Sequence, residues 1–194
     1  RAKITAQATL SRIGLAGTTC DWMREFDGTV TMPQTGEKHI FWDFLPSILE
    51  EYPALYSPES WLGVPFVRES DVPQKYAAVC EGLDGVLAAH GYVRQGRHYA
   101  AVRPNRDTLA FFCHFGVTCV MLSHLFSISP IPLLHHFAAA PSSVTTVYTE
   151  ERRKGVALFR AAAFGDTSHL YAAKEPPSFS ARFCEVYDSD ERHD

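Results

Sequence analysis

The sequence carries no excess of positive charge. Its 194 residues hold 18 Lys and Arg against 22 Asp and Glu, a formal net charge of −4, and its pI is near 6.1. That balance gives no basic surface of the kind that binds nucleic acid or an anionic membrane, so neither is expected as a partner. An anionic ligand would have to be gripped by a local constellation. Metal-binding spacing is missing too: no HxxxH, HExxH or CxxC occurs, and the neighbours His135 and His136 point to opposite sides of an extended chain. The expectation is therefore no metal and no other cofactor. No long apolar run is unbroken either. Residues 109–140 are interrupted by His114, Ser123, His124, Ser127, Ser129 and two prolines, which reads as a buried strand and a core helix rather than a membrane span. Five cysteines, an odd number without paired spacing, and no secretory signal at the start suggest reduced thiols in a cytoplasmic protein. Internal repeats and low-complexity tracts are absent.

What is present suits one folded domain over residues 1–194, with 46% hydrophobic and 21% charged residues. Ala2, Ala6, Leu10 and Ile13 recur at helical spacing before Gly14, which predicts a helix over 2–13. Residues 18–26 read as a short strand ending at the Asp27-Gly28 turn. Residues 29–73, rich in proline and aromatics, read as short helices and loops forming an insertion. Asp71, Pro73 and Gly91 frame a second helix whose oily face is Tyr76, Val79, Cys80, Leu83 and Leu87. The apolar run 108–113 predicts a central strand and 116–126 a helix. Residues 143–149 and 156–163 predict a hairpin across the charged loop EERRKG. The tail DSDERHD reads as frayed. The fold class expected from this alternation is α/β: a three-layer α/β/α sandwich on a mostly parallel sheet with one antiparallel edge.

In such a sheet ligands bind beyond the carboxyl ends of the strands. His114 lies there, in CHFG, with Gly116 opening the next helix so that backbone N–H groups and an imidazole converge. RAxxTA at residues 1–6, MRE at 23–25, CHFG at 113–116, PSSVTTV at 141–147 and GDTSHL at 165–170 follow one another in an order that resembles the histidine phosphatase superfamily, the group of the cofactor-dependent phosphoglycerate mutases. The likeness extends from Arg1 to about Leu170.

The resemblance implies roles. Arg1 would grip the phosphoryl group, Glu25 would donate a proton to the leaving oxygen, and His114 would stabilise the transferring phosphoryl. Ser143 would donate to phosphate or merely end a loop. Arginine and imidazolium suit this work, since each places charge-assisted donors on phosphoryl oxygens. Phe115 stands before Gly116 where members often have glycine directly. The nucleophile itself is not in these residues: the family's Arg-His-Gly does not occur, Arg97-His98 being followed by Tyr and Arg192-His193 by Asp. It is expected upstream of Arg1. The function implied is hydrolysis of small phosphate monoesters through a phosphohistidine. A mutase and an inactive phosphate- or partner-binding module are the alternatives. The insertion at 29–73, with Phe41, Trp42, Phe44 and Tyr52, is expected over the active site, its aromatics as packing. Asp166 and His169 are expected to fix a loop. The partner expected is a small phosphate ester, with a homodimer left open.

Overall fold

The computed structural model describes residues 1–178; the tail after them, with Cys184, lies outside the described residues. In chain order the elements are α1 (Ala2–Ile13), a 3₁₀ turn (Asp21–Met23), β1 (Thr29–Thr31), β2 (Lys38–Ile40) and α2 (Pro46–Glu51). After two further 3₁₀ turns come α3 (Pro65–Arg68), α4 (Val72–Ala89), β3 (Tyr92–Gln95), β4 (His98–Ala101), α5 (Phe115–Phe126), α6 (Ile131–His136), β5 (Val144–Arg153), β6 (Val156–Asp166) and α7 (Ser168–Ala172).

The mostly parallel three-layer sandwich is not what forms. The strands make a two-stranded sheet, β1-β2, and a four-stranded sheet in the order β3-β4-β6-β5, and every described ladder is antiparallel. The reason is connectivity. Strands joined by turns of a few residues, as at Gln95↔His98 and Arg153↔Val156, can only run antiparallel, whereas a parallel pair needs a long crossover. The central strand expected at 108–113 does not form: these residues have no regular secondary structure and join no ladder, and Leu109, Phe111 and Cys113 are only half-buried. Residues 18–26 form the 3₁₀ turn and extended chain rather than a strand.

Four expected elements do appear, α5 among them at Phe115–Phe126. Helix α1 ends at Gly14, whose φ of 70° is the left-handed stop that glycine adopts most readily. It buries no residue, and Ile4 stays 77% exposed. Helix α4 starts at Asp71, but the Asp71 carboxylate does not cap it. Instead it accepts the Thr29 N–H at 2.8 Å and pairs with Lys75 at 2.9 Å, tying α4 to β1. Partial burial would raise this carboxyl, yet the Thr29 N–H and the Lys75 ammonium outweigh it and hold it below its ordinary value. The β5-β6 hairpin forms with longer arms than expected.

The segment 29–73 is made of short elements, but it is not peripheral. Phe41 and Leu55 are completely buried, as is Val67. Phe41 meets Phe26, Phe44 and Trp61 at centroid distances of 6.2, 5.5 and 5.5 Å, in the edge-to-face and tilted geometries that ring quadrupoles favour. A polar knot joins α4, the β3-β4 hairpin and the end of α5. Arg94 donates to Tyr99 Oη at 2.9 Å and to the His124 carbonyl at 2.6 Å, while Asp84 accepts from Tyr99 at 3.0 Å and lies 2.9 Å from His124 Nε2.

Burial pushes His124 below its ordinary value of 6.5 despite Asp84, and burial does the same to His135. Both rings are thus harder to protonate in the native chain than in the unfolded one. Stability should be full above about pH 6.5 and fall as the pH drops below it, because there the unfolded chain binds the extra protons. We expect the urea midpoint to decrease between about pH 7.5 and about pH 5. His135→Gln, whose amide can still accept from the Phe44 N–H, should show a shallower decrease; an equal slope would remove His135 from the effect.

Candidate functional site

Helix α5 begins directly after His114, whose backbone is extended at φ −135° and ψ 170° and whose side chain does not cap the helix. Its carbonyl starts the first turn, accepting from the Thr118 N–H at 3.1 Å and the Thr118 hydroxyl at 2.7 Å. The first N–H groups of a helix have no partner within it, and here one is supplied from far away in sequence. Glu25, on the extended chain after the 3₁₀ turn, accepts from the Val117 N–H at 3.1 Å and from the Phe26 N–H at 2.8 Å, both through Oε1. A carboxylate at this helix end is also favoured by the helix dipole. Oε2 makes no hydrogen bond among the described residues.

Gly116 explains how the carboxylate comes so close. A Cβ built there would lie 2.8 Å from Glu25 Oε1 and 3.4 Å from both Phe26 Cβ and Trp42 Cδ1, so only glycine leaves room for the three groups to converge. The glycine after His114 therefore serves the approach of Glu25, not a strained turn. His114 is half-buried, and its ring has no hydrogen-bond partner among the described residues.

Two of the four expected site residues thus meet at one helix end. Arg1 does not join them: it is exposed at the head of α1, and its side chain makes no hydrogen bond or ion pair among the described residues. Ser143 is half-buried just before β5, where its N–H donates to the Ala140 carbonyl at 3.1 Å. It stands at the end of the hairpin that faces α5, since Val144 pairs with Asp166 and Phe164 meets Phe115 at 6.4 Å. It does not bond to Glu25 or His114.

The other singled-out residues are engaged locally. Asp166 accepts the Ser168 N–H at 2.7 Å and the Ser168 hydroxyl at 3.1 Å, and these bonds hold its carboxyl below the ordinary value. His135 Nε2 accepts the Phe44 N–H at 3.2 Å, and His136 Nε2 lies 3.0 Å from Tyr56 Oη. Contrary to the expectation of an extended chain that sends them to opposite sides, the two imidazoles stand in the last turn of α6 and line one open cavity of about 370 Å³ with Phe44, Leu49, Glu50 and Tyr56. A second cavity of about 310 Å³ lies at the far end of α5, against Trp61, Arg94, Arg97 and His124. No group of three His, Cys, Asp or Glu that could hold a metal occurs among the described residues, and no helix among them is long and apolar enough to cross a membrane. The four described cysteines are free, and burial pushes the Cys80 thiol up to about 12, which suppresses its reactivity.

Sequence reasoning singled out Glu25 and His114, and it took Trp42 as packing within an insertion over the site; the structure places the Trp42 ring beside Gly116. The only signal was its place in an aromatic run, and that does not reveal which ring stays open. Comparison of the chain with protein families, with curated proteins and with solved structures finds no match.

Proposed function

We propose that the protein is a phosphomonoesterase that hydrolyses small phosphate esters through a phosphohistidine, with the nucleophilic histidine on a segment upstream of residue 1. The observation that carries this reading is the meeting of Glu25 with the helix start that follows His114: the Val117 N–H, 92 positions from Glu25 in sequence, anchors one carboxylate oxygen and leaves the other open. In the reaction the upstream imidazole nitrogen attacks phosphorus and the ester P–O bond breaks. The alcohol leaves with a proton from Glu25, and His114 donates to the oxygens of the transferring phosphoryl. Water then attacks the phosphohistidine, giving its proton to the Glu25 carboxylate and releasing phosphate. The family resemblance would add Ser143 and Arg1 as phosphate ligands, although Arg1 makes no contact with Glu25 or His114 here and would have to reach them from the exposed head of α1. The four free cysteines among the described residues suit the cytoplasmic setting proposed here.

The test is turnover of an aryl phosphate by the full-length protein and by His114→Ala, with melting temperature and circular dichroism measured alongside. We expect measurable turnover in the wild type and at least a loss of about tenfold in the variant, with the fold unchanged. Wild-type activity that His114→Ala leaves untouched would sink the assignment. One specific observation favours another reading, a phosphate- or partner-binding module: Arg-His-Gly is absent from the 194 residues. An inert full-length protein that still binds inorganic phosphate selects that reading.

A further inference from the structure

Among the aromatic residues around the site, one is placed unlike the rest. Phe26, Phe41 and Phe44 are 3%, 0% and 7% exposed and belong to the core, whereas Trp42, between the last two in sequence, is 36% exposed. Its openness is not looseness. The indole Nε1–H donates to the Phe26 carbonyl at 3.1 Å, and the Cδ1 edge stands 3.4 Å from where a Cβ of Gly116 would be. The ring is thus fixed at the first turn of α5, next to the Glu25 carboxylate, with its single polar atom already bonded. Every other atom of the indole is carbon, so whatever part of the ring is open to solvent offers an apolar contact.

We propose that Trp42 is a specificity-determining residue, a wall against which the alcohol portion of the substrate stacks, and that the site favours phosphate esters of flat, aromatic alcohols; this rests on the phosphomonoesterase reading. A ring held before the ligand arrives loses little freedom when it stacks, so its gain is kept as affinity. A flat aromatic group gains both area burial and ring-to-ring attraction on such a surface. A polyol gains neither, and its hydroxyls lose water against an indole that offers no donor. Glu25 beside the ring is then within reach of the oxygen that links alcohol to phosphorus.

The experiment compares kcat/KM for 2-naphthyl phosphate and for glycerol 1-phosphate in the full-length protein, in Trp42→Ala and in Trp42→Leu. Taking the ratio between substrates in each variant cancels the difference in leaving-group reactivity. We expect Trp42→Ala to lower the ratio about tenfold, mainly through a higher KM for the naphthyl ester. Trp42→Leu, which keeps apolar bulk beside Gly116 and guards against misfolding, should lower it by about threefold or more. If either folded variant loses both substrates equally, Trp42 only packs and the inference is overturned. A wild type that turns over both esters with a ratio indifferent to residue 42 overturns the inference alone, while a wild type that turns over neither removes the phosphomonoesterase reading and this one with it.

Discussion

Glu25→Gln is expected to lower kcat for an aryl phosphate by roughly 10²- to 10³-fold while leaving the urea midpoint close to that of the wild type. The asymmetry of the two carboxylate oxygens dictates this. Oε1 accepts both the Phe26 and the Val117 N–H, and an amide carbonyl can do the same. The substitution removes only the charge and the exchangeable proton of the other oxygen. Glu25→Ala is the structural counterpart. It strips the acceptor from two partly buried backbone donors, which should cost about 1–3 kcal/mol, and frays the first turn of α5 where His114 sits. If Gln and Ala are equally stable, the carboxylate is not holding the helix end. If Gln keeps wild-type turnover, Glu25 is not the acid and its role is confined to packing.

How far this site could be read from the sequence depended on the range of the forces involved. Helix α1, helix α5 and the β5-β6 hairpin follow from local spacing, turn chemistry and glycine stops, and they form within a residue or a few of where those signals put them. The central strand failed for the opposite reason. An apolar run such as 108–113 states that a segment prefers to leave water, not which backbone it will bond to, and no neighbouring ladder partner exists among the described residues. The β3-β4 hairpin went unread, although Gly96, at φ 61°, marks its turn. At the site, the sequence supplied Glu25 and His114 as residue types. Their meeting depends on a long-range hydrogen bond and on the missing Cβ of Gly116, neither of which has a periodicity to detect. The same holds for Asp71, whose position suggests a cap while its carboxylate is drawn to Thr29.

Two glycines three residues apart on α4 should respond to alanine with opposite signs. Glycine inside a helix is unfavourable by about 0.5–1 kcal/mol relative to alanine, so both positions start with that gain in prospect. At Gly85 nothing lies within 4 Å of a new Cβ, and Gly85→Ala should raise stability by about that amount. At Gly82 the Cβ would fall 2.4–2.5 Å from three atoms of the Trp22 ring. The ring must move, and overpacking of this kind costs typically 1–3 kcal/mol, so a net loss of about 1–2 kcal/mol is expected after the helix gain. Trp22 lies in the 3₁₀ turn Asp21–Met23, two residues before Arg24-Glu25, so displacing it shifts the chain that carries the carboxylate to α5. Gly82→Ala should therefore lose turnover as well as stability, whereas Gly85→Ala should keep full turnover. A double-mutant cycle with Trp22→Leu separates the causes: if the strain is at the ring, the second substitution makes the first nearly neutral in urea unfolding. Additive losses would mean that the indole does not rest on Gly82, and that Glu25 is positioned by something other than the turn packed across α4.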